Sequence, residues 1–293
     1  MLFLWKTYGE DTYLMKLSLV VATVDRTQEL NDLLSGFASQ PYRDFEVIIV
    51  DQNSDERLDP IIAEFSSSLA IRHYRQSVRN CSDARNFGLA QAQGEIVGFP
   101  DDDCMYQPET MIRVMDHFAR DPKLVLLCGN NVSPTGELIT GRWTQYSCSI
   151  DERNVWTTTI GFAMWIRTEQ ARSVGGFDPK IGPGTPWGSS EEPDFAVSLL
   201  RRGYKGYYDV ELGILHPDKK LTPHAIKRAY HYGAGMGRVL RKHSIRLSIA
   251  LPYFLRPIGG MLLSLLRARF SHARYYWDTL RGRLFGYLAA PAI

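Results

Sequence analysis

Short runs of apolar, β-branched residues alternate through the first half of the chain with segments whose apolar positions recur at helical spacing. The runs at 17–24, 45–51, 71–75, 95–100 and 124–128 predict strands, and the stretches at 29–39, 58–65, 82–91 and 109–120 predict helices. This alternation is the signature of an α/β domain whose central sheet is mainly parallel and covered by helices. Ligands of such sheets lie beyond the carboxyl ends of the strands, so the residues at those ends are the first place to look for chemistry. Past residue 124 the pattern loosens. A Gly/Pro-rich stretch at 175–188 predicts a long loop, and the acidic run Glu191-Glu192-Pro193-Asp194 follows it. Pro193 suits the first position of a helix continuing through Arg202, and a last strand near 204–210 leads to His216.

The end of the chain reads differently. Residues 247–266 spell LSIALPYFLRPIGGMLLSLL, which is apolar enough to raise the question of a membrane span. Arg256 near mid-span, with Pro252 and Pro257 around it, makes an interfacial or re-entrant segment the better expectation, because a central Arg costs about 2.5–3.5 kcal/mol even on a lenient insertion scale. The alternative is a core helix packed on the preceding domain or in a homodimer. Residues 16–225 therefore read as one domain and 226–293 as a helical, basic tail.

Charge sharpens this division. From residue 226 onward there are twelve Lys or Arg against one acid, Asp278, in a chain whose net charge is only +2. Such asymmetry addresses the tail to an anionic partner, and its long aliphatic runs favour a membrane surface over nucleic acid. With 293 residues, 44% of them hydrophobic, the chain has ample material for a packed core. Four scattered cysteines without CxxC spacing, and no basic-then-apolar leader pattern, point to a reduced, cytoplasmic compartment, with the protein peripheral on the inner face of the cell membrane.

Candidate chemistry gathers at the strand ends. Asp101-Asp102-Asp103 directly follows an apolar run, and three crowded carboxylates repel unless a cation sits among them. An oxygen-rich set of this kind suits Mg²⁺ or Mn²⁺. The plain alternative is a solvated acidic turn. Asp51 closes the run at 45–51 and precedes Gln52-Asn53-Ser54-Asp55; its carboxylate can accept from a nucleobase N–H or simply start a turn.

Taken together, Val21-Ala-Thr-Val-Asp-Arg26, the segment ending Asp51-Gln-Asn-Ser-Asp55, Ala84-Arg-Asn-Phe-Gly88, Gly94-Glu-Ile-Val-Gly-Phe-Pro-Asp-Asp-Asp103 and Glu191-Glu-Pro-Asp-Phe195 resemble the family 2 glycosyltransferases of the GT-A fold, in order and approximate spacing over residues 16–220. The resemblance implies a Rossmann-like nucleotide-diphospho-sugar transferase domain that moves a sugar, with inversion, onto a saccharide or lipid-linked saccharide acceptor in cell-surface polysaccharide synthesis. It implies donor contacts from Thr23, Asp25, Arg26, Asp51, Asn53, Arg85, Asp101 and Asp102, with UDP or dTDP favoured, although Ala22 and Val24 depart from the family pattern. Asp103 and Asp101 match the acids that hold Mn²⁺ or Mg²⁺, and His216 stands where relatives bring a His to the metal; a structural His is the other reading. Arg85 either approaches the donor phosphates or braces the acidic site. Glu192 matches the general base, and Glu191, Asp194 and Trp187 become candidates for acceptor binding. An acidic helix start stabilised by the macrodipole, and a buried Trp, are the simpler readings of those positions.

Two other functions compete. A nucleotidyltransferase shares the sheet and metal site but needs a Gly-rich basic loop after the first strand, which 22–26 lacks. A non-catalytic, membrane-associated carbohydrate-binding protein would have no use for the retained acids.

Overall fold

The computed structural model describes residues 17–133, 143–216 and 223–289. Strand β1 (Leu17–Thr23), helix α1 (Gln28–Ala38), strand β2 (Phe45–Asp51), helix α2 (Asp59–Phe65), strand β3 (Ile71–Arg75), helix α3 (Cys81–Gln91) and strand β4 (Ile96–Gly98) succeed one another as the apolar periodicity predicts. β1 and β2 are buried at nearly every position, on both faces, which is why their sequences are continuously apolar. Side chains split by parity. Leu19 and Val21 enter a core with α1, where Leu30, Leu33, Leu34 and Phe37 form one buried stripe, while Val20, Ile48 and Val50 enter a second core on the opposite face with α3. Gly88 of α3 lies so close to Val20 that any Cβ there would collide with it.

Helix α4 (Thr110–Arg120) leads to strand β5 (Leu124–Val132), which runs four residues past the predicted end. Beyond it come two strands that the sequence pattern does not announce, β6 (Cys148–Ser149) and β7 (Met164–Arg167), with the single-turn helix α5 (Val155–Thr158) and a 3₁₀ turn at Gly161–Ala163 between them. Both strands are too short to establish a period of their own. After α6 (Thr168–Ser173), helix α7 (Glu191–Arg201) begins two residues earlier than Pro193 suggests, behind Ser190 in the left-handed region at φ 74°. Strand β8 (Lys205–Leu215) extends past 210 because a register irregularity opposite Cys128 and Asn130 lets it re-pair with the end of β5.

The sheet order is β3-β2-β1-β4-β7-β5-β8-β6. Pairing is parallel from β3 through β4 and again between β5 and β8; β7 runs antiparallel to both of its neighbours, and β6 to β8.

Three long helices close the chain: α8 (Pro223–Lys242), α9 (Leu247–Leu266) and α10 (Phe270–Ala289). α8 and α10 touch backbone to backbone. Gly233 and Gly237 of α8 abut carbonyls of Thr279 and Arg283, and Gly282 and Gly286 of α10 abut carbonyls of Tyr230 and Ala234, so a methyl at any of the four would clash. α9 is long and apolar enough to cross a membrane by length and composition, with only 22% of its apolar window buried. Leu251, Leu255, Leu262, Leu263 and Leu266 are exposed on it, while Tyr253 and Pro257 turn inward.

Candidate active site

The carboxyl ends of β1, β2, β4 and β8 converge. Asp101-Asp102-Asp103 leaves β4, and the next turn is tied to the end of β8 by reciprocal backbone hydrogen bonds between Met105 and Leu215, 2.8 and 3.1 Å long. That tie brings His216, the residue after β8, against the acids. His216 Nε2 lies 3.1 Å from Asp103 Oδ1 and 3.9 Å from Asp101 Oδ2, and its ring stacks on Phe162 at 4.5 Å and 12°. One ligand atom from each of Asp101, Asp103 and His216 falls within 4.8 Å of the other two, a set of two carboxylates and an imidazole that fits a hard to borderline divalent cation such as Mn²⁺.

Arg26, just past β1, places Nη1 2.6 Å from both Asp102 Oδ1 and Asp103 Oδ2. Burial pushes the Asp102 carboxyl up to about 6, against the opposing pull of the Thr23 hydroxyl and the Arg26 guanidinium. Burial acts on Asp103 in the same sense, but His216 and Arg26 outweigh it and hold that carboxyl below the usual range.

Arg85, buried on α3, donates to Asp101 Oδ1 at 2.7 Å and reaches Glu191 Oε1 at 3.4 Å, with its guanidinium over the Phe177 ring. Burial works against its charge. Asp101 and the Glu191–Glu192 pair around it more than compensate, so its pKa is raised. The Cys81 thiol beside it is pushed up to about 12, chiefly by burial, and stays protonated. Glu191 is buried, and desolvation together with the neighbouring Glu192 raises its carboxyl far above the carboxylate range. Glu192 is more open and accepts a hydrogen bond from the Gly161 backbone N–H at 3.2 Å. One guanidinium thus joins the Asp101–Asp103–His216 cluster to the acid pair.

Four of the candidate residues meet protein partners in this structure. Asp194, a candidate for acceptor binding, is 2% exposed; it accepts from Lys242 Nζ at 2.8 Å and pairs with His243 Nε2 at 2.7 Å, so it locks α7 to α8. Trp187 turns toward the tail, 5.4 Å from Phe285 with Arg238 over its ring. Asp51 and Asn53 face inward. Asp51 is fully buried, accepting from Asn53 N and Nδ2 at 2.8 and 2.7 Å and meeting His73 Nε2 at 3.1 Å, while Asn53 Oδ1 accepts from Asp25 N at 2.8 Å. These contacts shape the β2 turn and hold Asp25 in its left-handed conformation, φ 59°, where it pairs with Arg79 at 2.8 Å. Gly161, Phe162, His73, Lys242 and His243 escape sequence reasoning, since each acts on a residue remote in the chain and none belongs to a motif.

Over residues 18–169 the chain matches glycosyl transferase family 2, and it belongs to that family. An uncharacterized glycosyltransferase of Haemophilus influenzae is 27% identical over 195 residues, 63% of this chain and 62% of that protein. Hyaluronan synthase of Pasteurella multocida is 32% identical over 114 residues, 38% of this chain and 12% of the synthase. The chain therefore spans less than two thirds of either relative. Among solved structures, a mannosyltransferase of Pyrobaculum calidifontis in complex with GDP-Man and Mn²⁺ superposes with a TM-score of 0.66 at 17% identity, covering 98% of this chain and 91% of that one. TarS of Staphylococcus aureus, residues 1–349 in complex with UDP-GlcNAc, gives 0.57 at 16% identity, with 91% and 90% covered. These neighbours show the GT-A fold. Family membership sets the nucleotidyltransferase reading aside.

Proposed function

We propose that the protein is an inverting, divalent-metal-dependent glycosyltransferase that moves a sugar from a nucleoside diphosphate donor to a saccharide or lipid-linked saccharide acceptor during cell-surface polysaccharide synthesis. The observation that carries this reading is the Arg85 bridge, 2.7 Å to Asp101 on one side and 3.4 Å to Glu191 on the other. It sets a site for a metal-held diphosphate beside a pair of acids on a helix mouth. Donor structures in complex with GDP-Man, Mn²⁺ and UDP-GlcNAc in the fold's neighbours support the donor class.

Asp101, Asp103 and His216 would hold the cation, which supplies Lewis-acid stabilisation to the departing diphosphate. Arg26 and Arg85 add fixed positive charge around the same oxygens. Glu192, steadied at one oxygen by Gly161, accepts the acceptor hydroxyl proton at the other. The acceptor oxygen forms its bond to the anomeric carbon as the bond to the phosphate oxygen breaks, and the nucleoside diphosphate leaves from the opposite face. A single displacement inverts the centre. With Asp51 turned inward, preference for UDP or dTDP rests on rearrangement of the β2 turn when the base arrives.

The tail fits peripheral attachment to the anionic cytoplasmic leaflet, with the exposed leucines of α9 entering the interface and the tail's cations near headgroups. The function is tested by screening nucleotide sugars for Mn²⁺-dependent hydrolysis and assigning the anomeric configuration of any transfer product by NMR. Hydrolysis of none of them, in a protein that binds donor, favours the non-catalytic carbohydrate-binding alternative.

A further inference from the structure

Away from the strand ends, a cavity of about 410 Å³ opens where α5 meets the three tail helices. It falls within the roughly 300–1,000 Å³ range of small-molecule sites. Its walls carry Trp143, Trp156, Tyr275, Tyr276, Arg256 and Arg283, and among the described lining residues there is no Asp or Glu. Flat aromatic faces stack on the apolar faces of sugar rings, and guanidinium forks match phosphate oxygens two at a time. A cavity with both and no carboxylate selects an anionic saccharide.

Its position ties it to the chemistry. Trp156 and Thr157 line it, and the chain then runs through the turn to Gly161, whose N–H holds Glu192. On the other wall is Met236, next to Gly235, which packs directly on Ser189 of the loop that enters Glu191. Two short stretches of chain thus connect the cavity to the acid pair. α9 contributes Arg256 and Pro257 to the cavity and carries exposed Leu255 beside them, so a head group seated here has an apolar surface next to it. The fit is built: Gly260 of α9 is the position where a Cβ would strike the Tyr276 ring, at 2.7 Å, so the absence of a side chain lets that ring lie on the wall.

We propose that this cavity is an acceptor subsite for a sugar phosphate, with Arg256 and Arg283 on the phosphate and the Trp and Tyr faces on the sugar. The inference rests on the transferase reading above, and extends it to the chemical class of the acceptor.

The test titrates the full-length protein with hexose 1-phosphates (glucose, galactose, mannose and N-acetylglucosamine), reading tryptophan fluorescence, with inorganic phosphate and the neutral trisaccharide maltotriose as comparisons. At least one sugar phosphate is expected to bind at least tenfold more tightly than either comparison. Arg256→Gln should weaken that binding at least tenfold, Arg256→Lys should recover part of it, and Tyr276→Leu should weaken it independently. Tighter binding of a farnesyl diphosphate-linked sugar than of the free ester assigns a lipid-linked acceptor, and equal binding assigns a soluble one; either supports the subsite. Binding by inorganic phosphate equal to that of every ester, no binding by any ester, or an Arg256→Gln variant that binds like the unaltered protein overturns it. Mn²⁺-dependent donor hydrolysis by the unaltered protein is measured in parallel. Hydrolysis without ester binding removes the subsite alone, whereas ester binding without hydrolysis of any donor removes the transferase reading and with it the acceptor role, leaving a sugar-phosphate site.

Discussion

The backbone N–H of Gly161 lies 3.2 Å from Oε1 of Glu192, so the carboxylate is oriented by a main-chain group that no side-chain substitution removes. One oxygen is steadied and the other is left for a proton. Glu192→Gln keeps the shape and loses the basicity: transfer should fall by about 10²- to 10⁴-fold while donor affinity stays within about twofold. Steady-state transfer rates and donor calorimetry check this. If Glu191→Gln is the inactive variant and Glu192→Gln is not, the base is the neighbouring acid.

Asp103→Ala should abolish the Mn²⁺-dependent part of donor binding and leave the melting temperature nearly unchanged, because Asp103 lies past the strand end and contributes to the site rather than the core. His216→Ala should weaken Mn²⁺ binding less, since two carboxylates remain. Donor binding that ignores Mn²⁺ in the unaltered protein would remove the metal assignment.

Glu191 gives a pH signature. Its folded pKa is raised from 4.5 to about 8, first by burial and then by Glu192, so the native state holds a proton that the unfolded chain has already released. The associated stability is full below the unfolded value and is lost as pH rises through the folded one. Thermal denaturation should therefore show stability declining between about pH 5 and about pH 8. Glu191→Gln, neutral throughout, should flatten that decline. Parallel curves for the two proteins would mean that Arg85 keeps Glu191 ionised.

Asp194→Ala strips a buried partner from His243 and one of two carboxylates from Lys242, which keeps Asp178 at 2.8 Å, and should destabilise the protein by about 1–3 kcal/mol, the usual cost of leaving a buried polar group unsatisfied. Asp194→Asn should cost less. Chemical denaturation measures both, and a loss under about 1 kcal/mol for Asp194→Ala would show that α7 and α8 are held by packing alone.

Full-length protein should bind anionic vesicles, loosen partly in high salt and need detergent for complete release, with each surface cation contributing about 1 kcal/mol. Replacing the exposed Leu262 and Leu266 by Glu should leave the protein in the supernatant. Should full-length protein ignore such vesicles and form a dimer that the same replacements destroy, the leucine face is a subunit contact.

The sequence reading succeeds where a residue's role follows from its immediate neighbours. β1 and β2 are legible because both-face burial writes itself as unbroken apolar runs, whereas β3, IRHYR and only partly buried, shows itself by its β-branched and aromatic residues; Asp101, Asp103 and His216 stand out because they lie just past strand ends. Asp51 is placed correctly at a strand end, yet its orientation depends on His73 from the next strand, which no local pattern reveals. Asp194 reads as one acid of a surface cluster because Lys242 and His243 look like ordinary tail cations until the helices are folded together. β7 is hidden for a different reason: four residues inserted antiparallel between β4 and β5 are placed by the strands on either side rather than by their own periodicity.

The glycine contact between α8 and α10 fuses those helices into a single slab, and the slab is seated on Ser189 through Gly235. Ser189 stands just ahead of the acid pair, so the far end of the polypeptide packs against the loop that leads into Glu191. A shortened chain ending ahead of α8 would keep the sheet, its acids and the Gly161 contact to Glu192, but would lose the support against Ser189 and both tail partners of Asp194. Whatever packs on the outer surface of the slab is therefore one helix layer away from the loop ahead of Glu191.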